Sequence, residues 1–179
     1  WYKPLPSEST FSRAFKEFAE SNLAEQAHAS LVKVHLGDRI VGHLSRDATA
    51  ICARERPAMK NDKVNPKRSI AEQRQQGQTQ VLAQIPTLCD KGTKCNAQGY
   101  KVSWNGYKLH IDTADCGVPV SAILSSASMH DSLAAVPLSR ISAKRVDSLY
   151  DLMDAAYCSL DLHEHCRGLG HIPIIDHNP

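Results

Sequence analysis

Apolar residues along this chain repeat with a helical period in some stretches and with strand alternation in others. From Thr10 to Glu20, Phe11, Phe15 and Phe18 recur at helical intervals while Arg13, Lys16, Glu17 and Glu20 fall elsewhere. That pattern predicts an amphipathic helix whose aromatic stripe makes core contacts. Asn22, with Glu25 three residues on, resembles a capping arrangement for a second helix, and Leu23, Ala27 and Leu31 give it an apolar face to about Lys33. A strand is expected from Arg39 to Cys52, carrying the polar Ser45-Arg46-Asp47 within an otherwise apolar setting. The clearest alternation runs from Trp104 to Thr113, with Tyr107, Leu109, Ile111 and Thr113 on one face and Lys108, His110 and Asp112 on the other. Turn residues Ala114-Asp115-Cys116-Gly117 and the apolar run Val118 to Ser125 complete a β-hairpin. Asp131 can cap a helix running toward Ala143, which Pro137 should kink or delay. Val146, Leu149, Tyr150 and Met153 recur at helical spacing, yet Leu149 to Met153 is also a short apolar run of the buried-strand type. Periodicity alone leans to helix there. A last helix, Ser159 to Arg167, ends at Gly168 and Gly170 and leads into a strand from His171 to Ile175.

With 179 residues, 42% hydrophobic and 22% charged, one soluble globular domain, or most of a larger one, is the expectation. No apolar run approaches the roughly 20 residues of a membrane helix. The chain opens on Trp1 with no basic-then-apolar signal, so it reads as a fragment. Six cysteines without such a signal are expected to be reduced thiols, which points to the cytoplasm. A net charge of +2 is too mild to argue for nucleic acid by itself. Its distribution adds more. Between Arg54 and Gln78, Arg54, Arg56, Lys60, Lys63, Lys67, Arg68 and Arg74 face only Glu55, Asp62 and Glu72, with Pro57, Pro66 and Gly77 as interruptions. This stretch is either a solvated, flexible surface insertion or a phosphate-contacting loop.

Two carboxylates are the candidate chemistry. Asp47 and Asp154 each sit in or beside an apolar segment, where an unpaired charge is costly unless a metal or cation neutralises it. A structural cap or ion pair is the alternative for each. Cysteine and histidine spacing around Cys89, Cys95, Cys158 and Cys166 is poor for a zinc site, because neither half has two cysteines two to four residues apart.

The words GHLSRDATA, GYKLHIDTAD, SASMHDS, LYDLMDAAY and GHIPIIDHNP occur in this order. Together they resemble the DDE transposases of bacterial insertion sequences, over nearly the whole chain and most densely from Tyr100 to Pro179. The resemblance implies an α/β, ribonuclease-H-like mixed sheet with flanking helices, incomplete at its C-terminus. A helical segment would span residues 1–36, and a partial catalytic domain 37–179, with the basic insertion at about 58–98. Asp47 maps onto the family's first acidic position and Asp154, in a D-x-x-Y word with Tyr157, onto the second. The resemblance therefore implies a strand for Leu149 to Asp154. It also implies two Mg²⁺ or Mn²⁺ ions about 3.5–4 Å apart, with Asp47 bridging them and Asp154 binding one.

The family's third ligand is a glutamate in a Y-x-x-R-x-x-x-E type word. Asp161, Glu164 and Asp176, the carboxylates after Asp154, do not sit in such a word. Glu164 is a poor substitute, since a helix directly after the strand has little freedom to return its side chain. His130 would touch DNA phosphate or a leaving group, with a capping or core role as the alternative. Arg46 would orient Asp47 or contact DNA, with a plain surface arginine as the alternative. Lys60, Lys63, Lys67 and Arg68 would contact DNA. The implied activity is metal-dependent DNA cleavage and strand transfer in a bacterial, nucleoid-associated setting. Double-stranded DNA, as transposon ends and target, is the partner, and a homodimer is compatible with it. The other reading is a catalytically inactive DNA-binding or dimerising remnant.

Overall fold

The computed structural model describes residues 5–59, 69–95 and 98–177. Helices α1 (Glu8–Glu20) and α2 (Leu23–Leu36) precede the long strand β1 (Ile40–Cys52). Short helices α3 (Ile70–Gln75) and α4 (Gln78–Ala83) lead to strands β2 (Asp90–Cys95), β3 (Lys101–Ala114) and β4 (Pro119–Ser126). Helix α5 (Ser132–Ser142), strand β5 (Asp147–Met153), a 3₁₀ turn (Ala155–Tyr157), helix α6 (Leu160–Gly168) and strand β6 (Ile172–Ile175) follow. One six-stranded sheet runs β2-β3-β1-β5-β6, with β4 also paired to β3. The β1–β5 and β5–β6 pairs are parallel, and the pairs made by β3 are antiparallel. Helices α2, α5 and α6 lie against this mixed sheet, the ribonuclease-H-like arrangement that the ordered words imply. No helix among the described residues is long and apolar enough to cross a membrane.

The β3–β4 hairpin forms as its turn residues dictate, with Gly117 at φ +83° in the connection. Gly106 is needed for a different reason: it has φ +147°, and a Cβ there would meet the Ile51 carbonyl oxygen at 2.0 Å. The segment 149–153 is strand, flanked by β1 and β6. Its misleading helical period came from Leu149 and Tyr150, which are exposed, while Ser148, Asp151 and Met153 face inward.

Several expectations need correction. Phe11, Phe15 and Phe18 lie on one side of α1 but are not core contacts; none of the α1 residues is buried, and Phe15 is 70% exposed. Asn22 does not cap α2 through its side chain and instead takes a left-handed turn at φ +52°. The buried residues of α2 are Val32 and Leu36, whereas Leu23 and Leu31 are exposed. On β3 the polar face turns inward: His110 and Asp112 are fully buried. Within the basic stretch, Ile70–Gln75 form an ordered, partly buried helix. A capping box of Ser69 and Glu72 starts α3, and Ile70, Val81 and Ile85 are buried.

Pro137 does not delay the start of α5 and lies inside the helix. A proline there lacks the N–H that would bond the carbonyl of Leu133. The buried Gln73 side chain of α3 supplies the missing donor, with Nε2 3.0 Å from that oxygen. Three apolar clusters hold the layers together. Val32 and Leu36 of α2 meet Val41 and Leu44; Val136 of α5 meets Met153, Tyr157 and Leu162; and Leu138 meets Ile123 and Met129. Each fully buried valine or leucine contributes about 1.5–3 kcal/mol.

Candidate active site

Strands β1 and β5 run parallel with Arg46 opposite Met153, so the next residue on each is an aspartate. Asp47 and Asp154 are thereby neighbours at the point where β5 ends and β1 continues. Both are exposed. The Asp47 Oδ1 accepts from the Ala48 N–H at 2.7 Å, and the Asp154 Oδ1 accepts from the Ala156 N–H at 3.0 Å, capping the 3₁₀ turn. Asp131, at the start of α5, accepts from Lys108 Nζ at 2.7 Å, and the same ammonium donates to the Met129 carbonyl.

Electrostatics tie these groups together. Partial burial raises the Asp154 carboxyl, the Ala156 N–H opposes this, and the charges of Asp47, Asp131 and Asp176 raise it further. Tyr157 is buried beside the same carboxylates, its phenol pushed well above the usual range by burial and by Asp131. Its hydroxyl has no hydrogen-bond partner among the described residues. His110 has its pKa lowered to about 4, chiefly by burial, and shares a 2.8 Å hydrogen bond with Ser125.

Arg46 is turned away from this surface. Consecutive strand residues point to opposite faces, and where Asp47 meets solvent the Arg46 side chain is only 1% exposed. It is therefore neither a surface arginine nor placed to reach DNA. Its Nε and Nη2 donate to the two Asp112 oxygens at 2.7 and 2.8 Å, and its Nη1 donates to Met153 Sδ at 3.3 Å. Ser142 Oγ on α5 also donates to Asp112, at 2.7 Å. Burial works against the guanidinium charge, and Asp112 and Asp151 more than offset it. On the far side, burial would raise the Asp151 carboxyl, but its bond to His171 and the Arg46 charge hold it below the ordinary value.

His130 is exposed, with Nδ1 2.8 Å from Ser132 Oγ, beside Asp131. Glu164 accepts from Arg74 at 2.7 Å, an ion pair between α6 and α3. Lys60, Lys63, Lys67 and Arg68 lie outside the described residues. The sequence placed Lys108 and Asp112 only on a strand face, Asp131 only as a helix cap, and Asp176 only as a carboxylate outside the family's glutamate word. The available signal was the run of Lys108, His110 and Asp112 on one face of the best strand, since three polar side chains in such a register need partners.

In donor chemistry the pair fits a hard divalent cation: exposed carboxylates on neighbouring strand ends, with the Asp154 carboxyl raised by partial burial and by the charges of Asp47, Asp131 and Asp176. No three His, Cys, Asp or Glu side chains among the described residues are gathered closely enough to enclose a metal ion as they stand. No curated protein and no solved structure matches the chain. A family model, the transposase DDE domain, matches residues 46–177. That span takes in β1 from Arg46 onward, both paired aspartates and Asp176, most of the chain, and on this match the protein belongs to the transposase DDE domain family.

Proposed function

We propose that this chain is the catalytic-domain portion of an insertion-sequence transposase, acting in metal-dependent cleavage and strand transfer of double-stranded DNA. The observation that carries the reading is the β1–β5 register, which sets Asp47 beside Asp154 where both are open to solvent. Asp47 and Asp154 would hold Mg²⁺ or Mn²⁺, which supplies activation of an attacking water or 3′-hydroxyl and stabilisation of the leaving oxygen. The Ala156 N–H fixes the Asp154 carboxylate, and Lys108 holds Asp131 at the rim. Lys60, Lys63, Lys67, Arg68 and His130 would take the DNA backbone. The family's third acidic ligand, a glutamate, has no counterpart word after Asp154.

The test is Mn²⁺ binding followed by electron paramagnetic resonance, together with a DNA nicking assay. The expected result is Mn²⁺ binding that Asp47→Ala abolishes, with no DNA cleavage by these 179 residues alone. Equal binding by the wild type and Asp47→Ala sinks the assignment. Nicking that disappears in Asp47→Ala shows that a neighbouring carboxylate, Asp131 or Asp176, completes the site.

A second reading, a DNA-binding or dimerising role without catalysis, is favoured by the Phe11, Phe15 and Phe18 face of α1, which is exposed among the described residues. Under it, Phe15→Ser shifts the protein to monomer in sedimentation while Asp47→Ala leaves mass and DNA affinity unchanged. A monomeric wild type rules out the dimer.

A further inference from the structure

Arg46 occupies an unusual place relative to the two aspartates. It stands on the central strand directly before Asp47, opposite Asp112 on β3 and opposite Met153 on β5. Its side chain bonds to both of those neighbours: two hydrogen bonds to Asp112 and one to Met153, the residue directly before Asp154. One guanidinium thus spans three strands one residue short of the proposed metal ligands. Beneath it, Ser142 of α5 donates to Asp112 at 2.7 Å and its hydroxyl shares a 2.6 Å hydrogen bond with Ser121 of β4, so the clamp is itself anchored in the helix layer.

Hydrogen bonding within a sheet fixes strand register, but the β1–β5 ladder has its last pair at Arg46 and Met153. Beyond it Asp47 has only β3 beside it, and Asp154 has left the strand for the 3₁₀ turn. The relative position of the two carboxylates therefore depends on how rigidly the final pair is held. A lysine could supply charge at this position, but not the planar fork that meets both Asp112 oxygens while a third nitrogen reaches sulfur.

We propose that Arg46, through Asp112 and Met153, is a positioning residue that locks the ends of β1 and β5 and so sets the spacing of Asp47 and Asp154. This rests on the reading of those aspartates as metal ligands, and it assigns Arg46 a role in the site although its side chain is not open to ligand. Supporting groups of this kind typically change metal affinity roughly 10- to 100-fold when removed.

The test uses the full chain. Arg46→Met alone would leave the Asp112 carboxylate buried and unpaired, so the informative variant is Arg46→Met with Asp112→Leu, which removes both charges together. Arg46→Lys serves as the conservative comparison. Circular dichroism and thermal unfolding report the fold, Mn²⁺ titration reports the site, and backbone hydrogen exchange reports the strand ends. The double variant is expected to fold with wild-type ellipticity, to lose roughly 10- to 100-fold in Mn²⁺ affinity, and to exchange faster at residues 47–48 and 153–155 than elsewhere in β1 and β5. Arg46→Lys should fall between it and the wild type. A folded double variant with wild-type Mn²⁺ affinity overturns the proposal. If the wild type and Asp47→Ala bind Mn²⁺ equally, the metal reading fails, and exchange decides the clamp: a selective rise at those two strand ends supports it, and an unchanged pattern overturns it.

Discussion

Asp154 is raised because partial burial and three neighbouring carboxylates, Asp47, Asp131 and Asp176, all disfavour its charge. An acid whose folded pKa lies above its unfolded value contributes stability at low pH that is lost as pH rises through the folded value. At neutral pH the ionised Asp154 therefore costs the fold stability, a cost that a bound cation would offset. Asp154→Asn keeps an oxygen for the Ala156 N–H and removes the charge. Its thermal midpoint at pH 7 should exceed that of the wild type. The gain should vanish below the ordinary carboxyl value of 3.8, where Asp154 is protonated whether folded or not. Thermal unfolding at the two pH values checks this, and a lower midpoint at pH 7 would show that the carboxylate is stabilised where it stands.

At the scale of elements, α5 survives its internal proline because α3 supplies the absent donor. Gln73→Ala removes the bond to the Leu133 carbonyl and leaves that partly buried oxygen without its donor, a change worth about 1–3 kcal/mol. The Gln73 Oε1 has no partner among the described residues, and losing it returns part of that amount. The net loss is therefore expected at about 1 kcal/mol, read as a lower urea midpoint; a midpoint at or above wild type would mean that α5 does not need α3. Helix α1 shows the converse. Its period foretold the helix correctly, but amphipathicity names the face that wants cover without saying whether this chain supplies it.

For the whole molecule, two buried histidines set the response to acid. His110 on β3 and His165 on α6 both have pKa values lowered to about 4 from 6.5, with burial the leading cause, and each shares a hydrogen bond with a buried serine. A group with a depressed folded pKa takes up its proton more readily when unfolded. Stability present above pH 6.5 is therefore lost as pH falls toward about 4. The thermal midpoint should decline across that window, and His165→Gln, which can still bond Ser139, should flatten the decline. A wild-type midpoint that stays level from pH 7 to about 4 would rule out both histidines as the acid-labile groups.

Sequence alone determined the positions of the long strands, the hairpin and the later helices, because alternation, turn residues and helical period are local properties of the backbone. It also singled out Asp47 and Asp154, since the ordered family words carry them; their roles as ligands remain proposals. Only the tertiary structure decided which face of each element is covered. Alternation on β3 separated Lys108, His110 and Asp112 from the apolar residues, but the polar side became the buried one because Arg46, Ser125 and Ser142 stand ready to bond it. The depth of Arg46, the exposure of Phe15 and the rescue of Pro137 by Gln73 likewise depend on partners distant in sequence. Local pattern fixes which way a side chain points relative to its neighbours, and packing fixes what it meets there.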